Sequence, residues 1–167
     1  MKKLLILLML IIENIIFGVN TELTGNQEAI VNVEAEILAP LNLEVKNHVD
    51  FGKVVQGQTK NLENQGQLEI TGTPKSKIKV FLKGSSEEKY RVTNKCKILL
   101  TKGGVQTTEE NKKMIANLEL DKEIEKIFLN SEGKVVINIG GSVTANSDPG
   151  EYKGEMCVRV EYDGVIN

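Results

Sequence analysis

The stretch GEYKGEMCVRVEY, residues 150–162, constrains this chain more than any other, because its side chains alternate with a period of two behind a Pro149-Gly150 turn. Met156, Val158, Val160 and Tyr162 fall on one face, and Glu155, Cys157, Arg159 and Glu161 on the other. That alternation marks a strand with one face in a core and the other toward water. A strand of this kind needs neighbours, so the question it raises is what lies along each of its edges.

The same period recurs upstream. AIVNVEAEILAP sets Val31, Val33, Ala35, Ile37 and Ala39 against Asn32, Glu34 and Glu36, and predicts the first strand, ended or kinked at Pro40. LNLEV places Leu41, Leu43 and Val45 on one face before the turn-prone NHVDFG, and LEIT and KIKVFLKG are the next strands. In KIKVFLKG, Ile78, Val80 and Leu82 oppose Lys77, Lys79 and Lys83. A lysine row reads as a solvated face that blunts edge pairing, with an anionic-glycan site as the sharper reading. KYRVT and KILLT follow, and Gly103-Gly104 reads as a hairpin turn. Between residues 109 and 130, Met114, Ala116, Leu118 and Leu120 alternate, whereas Ile124, Ile127 and Phe128 fit one helical turn. The reading is a strand followed by a short irregular or helical turn. KVVINIGGSVTA is a strand whose Gly140-Gly141 pair points to a bulge or a close backbone approach. Closely spaced strands, Gly, Pro and Asn turns and no sustained helix describe one all-β domain, an antiparallel sandwich or barrel over residues 30–167.

The first residues, MKK followed by LLILLMLII, have the charged and then apolar order of a secretory signal peptide over residues 1–18. The apolar run falls short of the roughly 20 residues that span a bilayer, so an uncleaved anchor is only the alternative. Cleavage is expected after Gly18 or Asn20, followed by a polar extension over residues 19–29. Export to the periplasm, the outer surface or the extracellular space is the expectation, with no stable membrane span after the leader is removed. Losing Lys2, Lys3 and Glu13 makes the mature chain more acidic than the −2 of the whole, which argues against a nucleic-acid partner.

Two cysteines permit one bridge, Cys96 to Cys157, in an oxidising compartment. In KCKILLT, Cys96 points inward with Ile98 and Leu100, while Cys157 shares its face with Arg159 and Glu161. Opposite faces disfavour disulfide geometry, so two unpaired thiols are the preferred reading and the bridge the alternative. The single histidine, His48, has no nucleophile partner, and no cysteine pair has metal-ligand spacing. Asp50-Phe51-Gly52 spells the kinase metal-binding triplet without a phosphate loop or catalytic loop, so Phe51 reads as a core plug and Gly52 as a bend. No catalytic, metal, cofactor or ligand-binding residue is nominated, and enzyme activity is not expected.

The order of these pieces resembles a family. AIVNVEAEILAPLNLEV, VDFGKVVQG, a strand ending in FLKG, INIGGSVTA and DPGEYKGEMCVRVEY together resemble exported bacterial proteins of domain of unknown function four-four-zero-two, across nearly all of the mature chain. Its most specific parts are Asp50 to Gly52, Gly140-Gly141, and Pro149-Gly150-x-Tyr152-x-Gly154 leading to the Tyr162 strand. That family is similar in turn to spore coat protein U domains and to chaperone-usher pilins. The resemblance implies an immunoglobulin-like, pilin-like sandwich acting as a structural or adhesive surface subunit. It also implies self-association or a partner subunit held by strand addition, in which main-chain hydrogen bonds give affinity and alternating side chains give register. The donor would come from residues 19–29, where the apolar residues Val19, Leu23 and Ala29 are sparse. A monomeric extracytoplasmic module that recognises glycan or protein through its loops is the competing expectation.

Overall fold

The computed structural model describes residues 31–85 and 87–164. The expected leader and the extension over residues 19–29 lie outside the described residues. The chain divides into two compact units, Met1–Glu36 and Ile37–Asn167. Of the first, the described residues 31–36 are exposed and form neither helix nor strand.

The second unit is all-β and antiparallel. Its strands are β1 (Asn42–Asn47), β2 (Thr59–Asn61), β3 (Gly66–Thr71), β4 (Lys77–Gly84), β5 (Lys95–Lys102), β6 (Lys113–Leu120), β7 (Ile127–Phe128), β8 (Lys134–Thr144), β9 (Tyr152–Lys153) and β10 (Met156–Tyr162). One sheet runs β1-β3-β8-β6-β5-β9, with β2 also paired to β8; the other runs β10-β4-β7. The chain crosses between sheets after β3, β4, β6, β7 and β9, so neither sheet is a local hairpin product. Single 3₁₀ turns at Glu110–Lys112 and Ile124–Lys126 are the helical content described. The strand-then-turn reading of residues 113–128 matches β6, the second of these turns and β7, although Phe128 faces out at 56% exposure.

The period-two pattern explains the core. Leu68 and Ile70 from β3, Ile78, Val80 and Leu82 from β4, Ile98 from β5, Leu118 from β6 and Ile137, Ile139 and Val143 from β8 are buried in one aliphatic cluster shared by both sheets. Burying each such side chain contributes roughly 1.5–3 kcal/mol. The β-branched residues that dominate the cluster also favour the extended backbone that presents them. Phe51 packs against this cluster half-buried, with Gly52 bending the chain at φ +61°, as the sequence predicted for that triplet.

Three expected strands differ from the structure. Of KYRVT, residues 89–93, only Arg91 makes an isolated bridge, to Leu82. Residues 31–40 form no strand, and Val31, Val33 and Ile37 are 78%, 88% and 95% exposed. Alternation makes a segment fit for a sheet, but a ladder partner makes it a strand, and none of the described residues supplies one. The long final strand is also broken. Tyr152–Lys153 pairs with β5 in the first sheet, and Met156–Tyr162 pairs with β4 in the second. Gly154 sits at the change of sheet, where an added Cβ would lie 2.5 Å from the Leu99 carbonyl oxygen. The backbone passes too close to β5 for a side chain, and the strand leaves the first sheet there.

The Gly140-Gly141 pair is a close approach rather than a bulge, because the β6–β8 register runs without a break from Ala116↔Val143 to Leu120↔Ile139. A Cβ at Gly141, where φ is +152°, would meet the Asn117 carbonyl oxygen at 2.2 Å, whereas one at Gly140 meets only the Glu119 oxygen at 3.8 Å. Gly141→Ala is therefore expected to destabilise by on the order of 2 kcal/mol or more, and Gly140→Ala to stay within about 0.5 kcal/mol of the parent. Urea unfolding of the two variants separates them, and equal midpoints would show that the pair has no asymmetric role.

Candidate functional site

Strand β10 has one strand neighbour among the described residues. It pairs with β4 from Met156↔Gly84 to Tyr162↔Ile78. The hydrogen-bond pattern fixes which of its backbone groups are spent. Leu82 exchanges both its bonds with Arg91, at 2.9 and 2.8 Å, so the even-numbered residues of β4 turn their backbone away from β10. Lys79, Phe81 and Lys83 therefore bond Glu161, Arg159 and Cys157, and Asp163 continues the series by donating its N–H to the Lys77 carbonyl at 2.9 Å. Met156, Val158, Val160 and Tyr162 point their N–H and C=O groups to the open side. No backbone partner for them occurs among the described residues.

The same four residues direct their side chains toward the core, as the alternation predicted, yet all four are only half-buried. An apolar row and a row of unpaired backbone groups thus run side by side along seven residues. The other long edge, β1, is different. Its side chains are mostly exposed, and Lys46 bridges Glu44 at 2.8 Å and Glu69 at 3.5 Å, a charged edge of the kind that discourages pairing. Of the remaining edges, β2 has three residues and β7 and β9 two each, while beyond β9 the outer side of Lys95–Leu100 in β5 has no strand partner among the described residues and carries the exposed Lys95 and Lys97.

A latch closes the far end of β10. Tyr162 Oη accepts a 2.7 Å bond from the Thr73 N–H and donates one of 2.7 Å to the Ala39 carbonyl, while the Ala39 N–H donates to Thr73 Oγ1, also at 2.7 Å. Next to it, the Asp163 carboxylate takes Lys77 at 2.7 Å and also Lys79, and its side chain is 18% exposed. Hydrogen bonds from Lys77 and then Lys79 hold the Asp163 carboxyl below its ordinary value of 3.8. Two lysines of the row read as a solvated face are thereby engaged by a carboxylate, which weakens the anionic-glycan reading of that row.

The outward face of β10 carries a stack. The Arg159 guanidinium lies 4.7 Å from the Phe81 ring and 4.9 Å from the Tyr90 ring, with Nε 3.0 Å from Glu161. Cys157 follows on the same face and is free. Cys96 is free and buried, and burial, followed by the charge of Glu87, raises its thiol pKa. Parity thus places the two sulfurs as the sequence reading preferred. The latch and the stack were not legible from the sequence, since Ala39, Thr73 and Tyr90 carry no signal beyond their type. His48 and Asp50 are exposed. Among the described residues, no group of three His, Cys, Asp or Glu side chains is placed to hold a metal ion, and no helix is long and apolar enough to cross a membrane.

A second surface feature is an open groove of about 1310 Å³, lined by charged side chains such as Arg91, Lys97, Glu119 and Asp121 and by the carboxamides of Asn94 and Asn117. No family model and no curated protein matches the chain.

Tyr162→Phe removes two hydrogen bonds at a partly exposed site and is expected to cost about 1 kcal/mol, read as a lower urea midpoint at unchanged m-value. An unchanged midpoint would show the latch to be energetically idle. Because the Asp163 pKa is lowered on folding, its contribution is present above the ordinary carboxylate value and is lost as pH falls through the lower folded value. Asp163→Asn should therefore be less stable than the parent at neutral pH and converge on it in acid; parallel stability profiles from neutral pH to about pH 2 would contradict this.

Proposed function

We propose that this chain is an exported structural or adhesive surface protein, a pilin-like subunit with an immunoglobulin-like fold, that acts through protein contacts made by strand addition at β10. The observation that carries the reading is the open side of β10, where the backbone groups of Met156, Val158, Val160 and Tyr162 have no partner among the described residues and lie beside a half-buried apolar row. An incoming strand would satisfy the backbone groups and cover the apolar row at once, which is the physics of strand addition. Two antiparallel sheets around one core agree with the immunoglobulin-like part of the reading. The charged-then-apolar leader supports export, and the resemblance to exported pilin-like domains supports the role.

The open polar groove supports a second reading, a monomeric module that binds glycan or protein through that surface. The two readings part on association. Light scattering of the mature chain over a range of concentrations should show assembly. Val160→Pro deletes one outward N–H while leaving the β4 ladder, whose bonds come from Arg159 and Glu161. That variant should keep a cooperative melt and weaken assembly by about tenfold or more. Val160→Lys serves the same purpose if the proline variant does not fold. A parent that stays monomeric throughout favours the groove reading, and an edge variant that assembles like the parent rules out β10 as the contact.

A further inference from the structure

The lysine row of β4 divides along its length. Lys77 and Lys79 both reach the Asp163 carboxylate. Lys83 has no carboxylate partner among the described residues, and its Nζ lies 5.3 Å from the centre of the Tyr90 ring. We propose that the outward face of β4 and β10 around Lys83 binds a terminal uronic acid unit of a glycan. Arg159 and Lys83 meet the carboxylate, and Tyr90 meets the C–H face of the sugar ring.

Register assembles this face from segments far apart in the chain. Lys83 stands opposite Cys157, and Phe81 opposite Arg159. On the other side of β4, the antiparallel Leu82–Arg91 bridge sets Tyr90 across from Lys83. Side chains on one face of adjacent strands are neighbours, and the Arg159 guanidinium accordingly lies 4.7 Å from the Phe81 ring and 4.9 Å from that of Tyr90. Glu161 takes its Nε at 3.0 Å. Two rings and a carboxylate hold the guanidinium, while its terminal N–H groups have no partner among the described residues. A guanidinium held in this way presents the fork that a carboxylate accepts with both oxygens. None of Phe81, Lys83, Tyr90 and Arg159 lines the open groove. The face is also separate from the open edge of β10, whose outward backbone groups belong to Met156, Val158, Val160 and Tyr162, so the site stands whether or not a strand is added there.

Charge sets the class of ligand. Arg159 is offset by Glu161, which leaves Lys83 as the cation without a counter-charge at the site. One negative charge matches that balance. A densely sulfated chain would need a longer run of free cations, on a protein whose net charge is −2. The half-buried Tyr90 and Phe81 rings set an apolar surface beside the cations, which a sugar ring covers with its C–H bonds and a simple anion does not. The backbone between β4 and β10 is spent on their own ladder, so a peptide laid across this face finds no backbone partners, whereas sugar hydroxyls can pair with Glu161. An open face has no recess for the acetamido and glycerol branches of a sialic acid, and a uronic acid carries neither.

Cys157 reports on the site, because it stands beside Lys83 while Cys96 is buried. Cellobiouronic acid titrated into the mature chain should shift the amide signals of Lys83, Tyr90 and Arg159 in nitrogen-resolved NMR. It should also slow alkylation of Cys157 by N-ethylmaleimide about twofold or more at saturation. Cellobiose, which has no carboxylate, should do neither. Arg159→Lys, which keeps the charge and loses the fork, and Lys83→Gln should each weaken binding about tenfold. Lys79→Gln, on the same face but held by Asp163, should leave binding within about twofold of the parent. Equal losses for Lys79→Gln and Lys83→Gln would show diffuse attraction in place of a site and overturn the proposal. So would an equal response to cellobiose, a response at the same residues to heparin or a glutamate-rich peptide at lower concentration than to the acid, or no response to the acid at about 10 mM.

Discussion

The outermost strand of a sheet always carries backbone donors and acceptors that its own sheet cannot satisfy, and proteins cap, charge or shorten such strands to keep them from pairing. In this chain β1 is charged, β2, β7 and β9 are short, and the part of β5 beyond β9 carries the exposed Lys95 and Lys97, but β10 is seven residues long with an apolar inner row. The organisation of the second sheet follows from that exception. With only three strands, β10 at one side and a two-residue β7 at the other, it covers the core through β4 and leaves Val158 and Val160 half-buried rather than buried.

Several features hold this edge in place instead of hiding it. The approach of Gly154 to the Leu99 carbonyl breaks the last stretch of alternation between two sheets, so that only its second half reaches β4. The buried aliphatic residues of β4 anchor the pairing, and the Asp163 carboxylate ties the end of β10 to two lysines of its neighbour. Tyr162 then reaches across to Ala39 and Thr73. The chain is thus fixed at the point where the exposed alternating segment leaves the folded unit. Anchoring an edge that has no partner among the described residues lowers the ordering cost of adding a strand to it.

Much of the fold was legible because period-two alternation reports burial directly. Ile78, Val80 and Leu82 against their lysines, Cys96 and Ile98 against Lys95 and Lys97, and the inward set of β10 all point as the pattern indicates. Alternation does not report partners, which explains the misreadings of residues 31–40 and 150–162. Residues 31–39 have as regular a pattern as β4, yet a strand is defined by its neighbour, and no described residue provides one. Residues 150–162 read as one strand because the change of sheet depends on how closely β5 approaches Gly154, a tertiary fact absent from local periodicity. The site was half visible: the open edge was suggested by the pattern, while the latch through Ala39 and Thr73 and the Phe81-Arg159-Tyr90 stack come from contacts between residues far apart in the chain.

The central claim is that the backbone groups of Val158 and Val160 meet water in an isolated chain and another strand in the assembled protein. Amide hydrogen exchange resolved at these two residues measures it directly, with Arg159, bonded to Phe81 in either state, as the internal standard. The account predicts fast exchange at Val158 and Val160 at dilutions where the protein is monomeric, and strong protection once it assembles, while Arg159 is protected in both. Equal exchange at the two valines in both states, whether fast or slow, would contradict it.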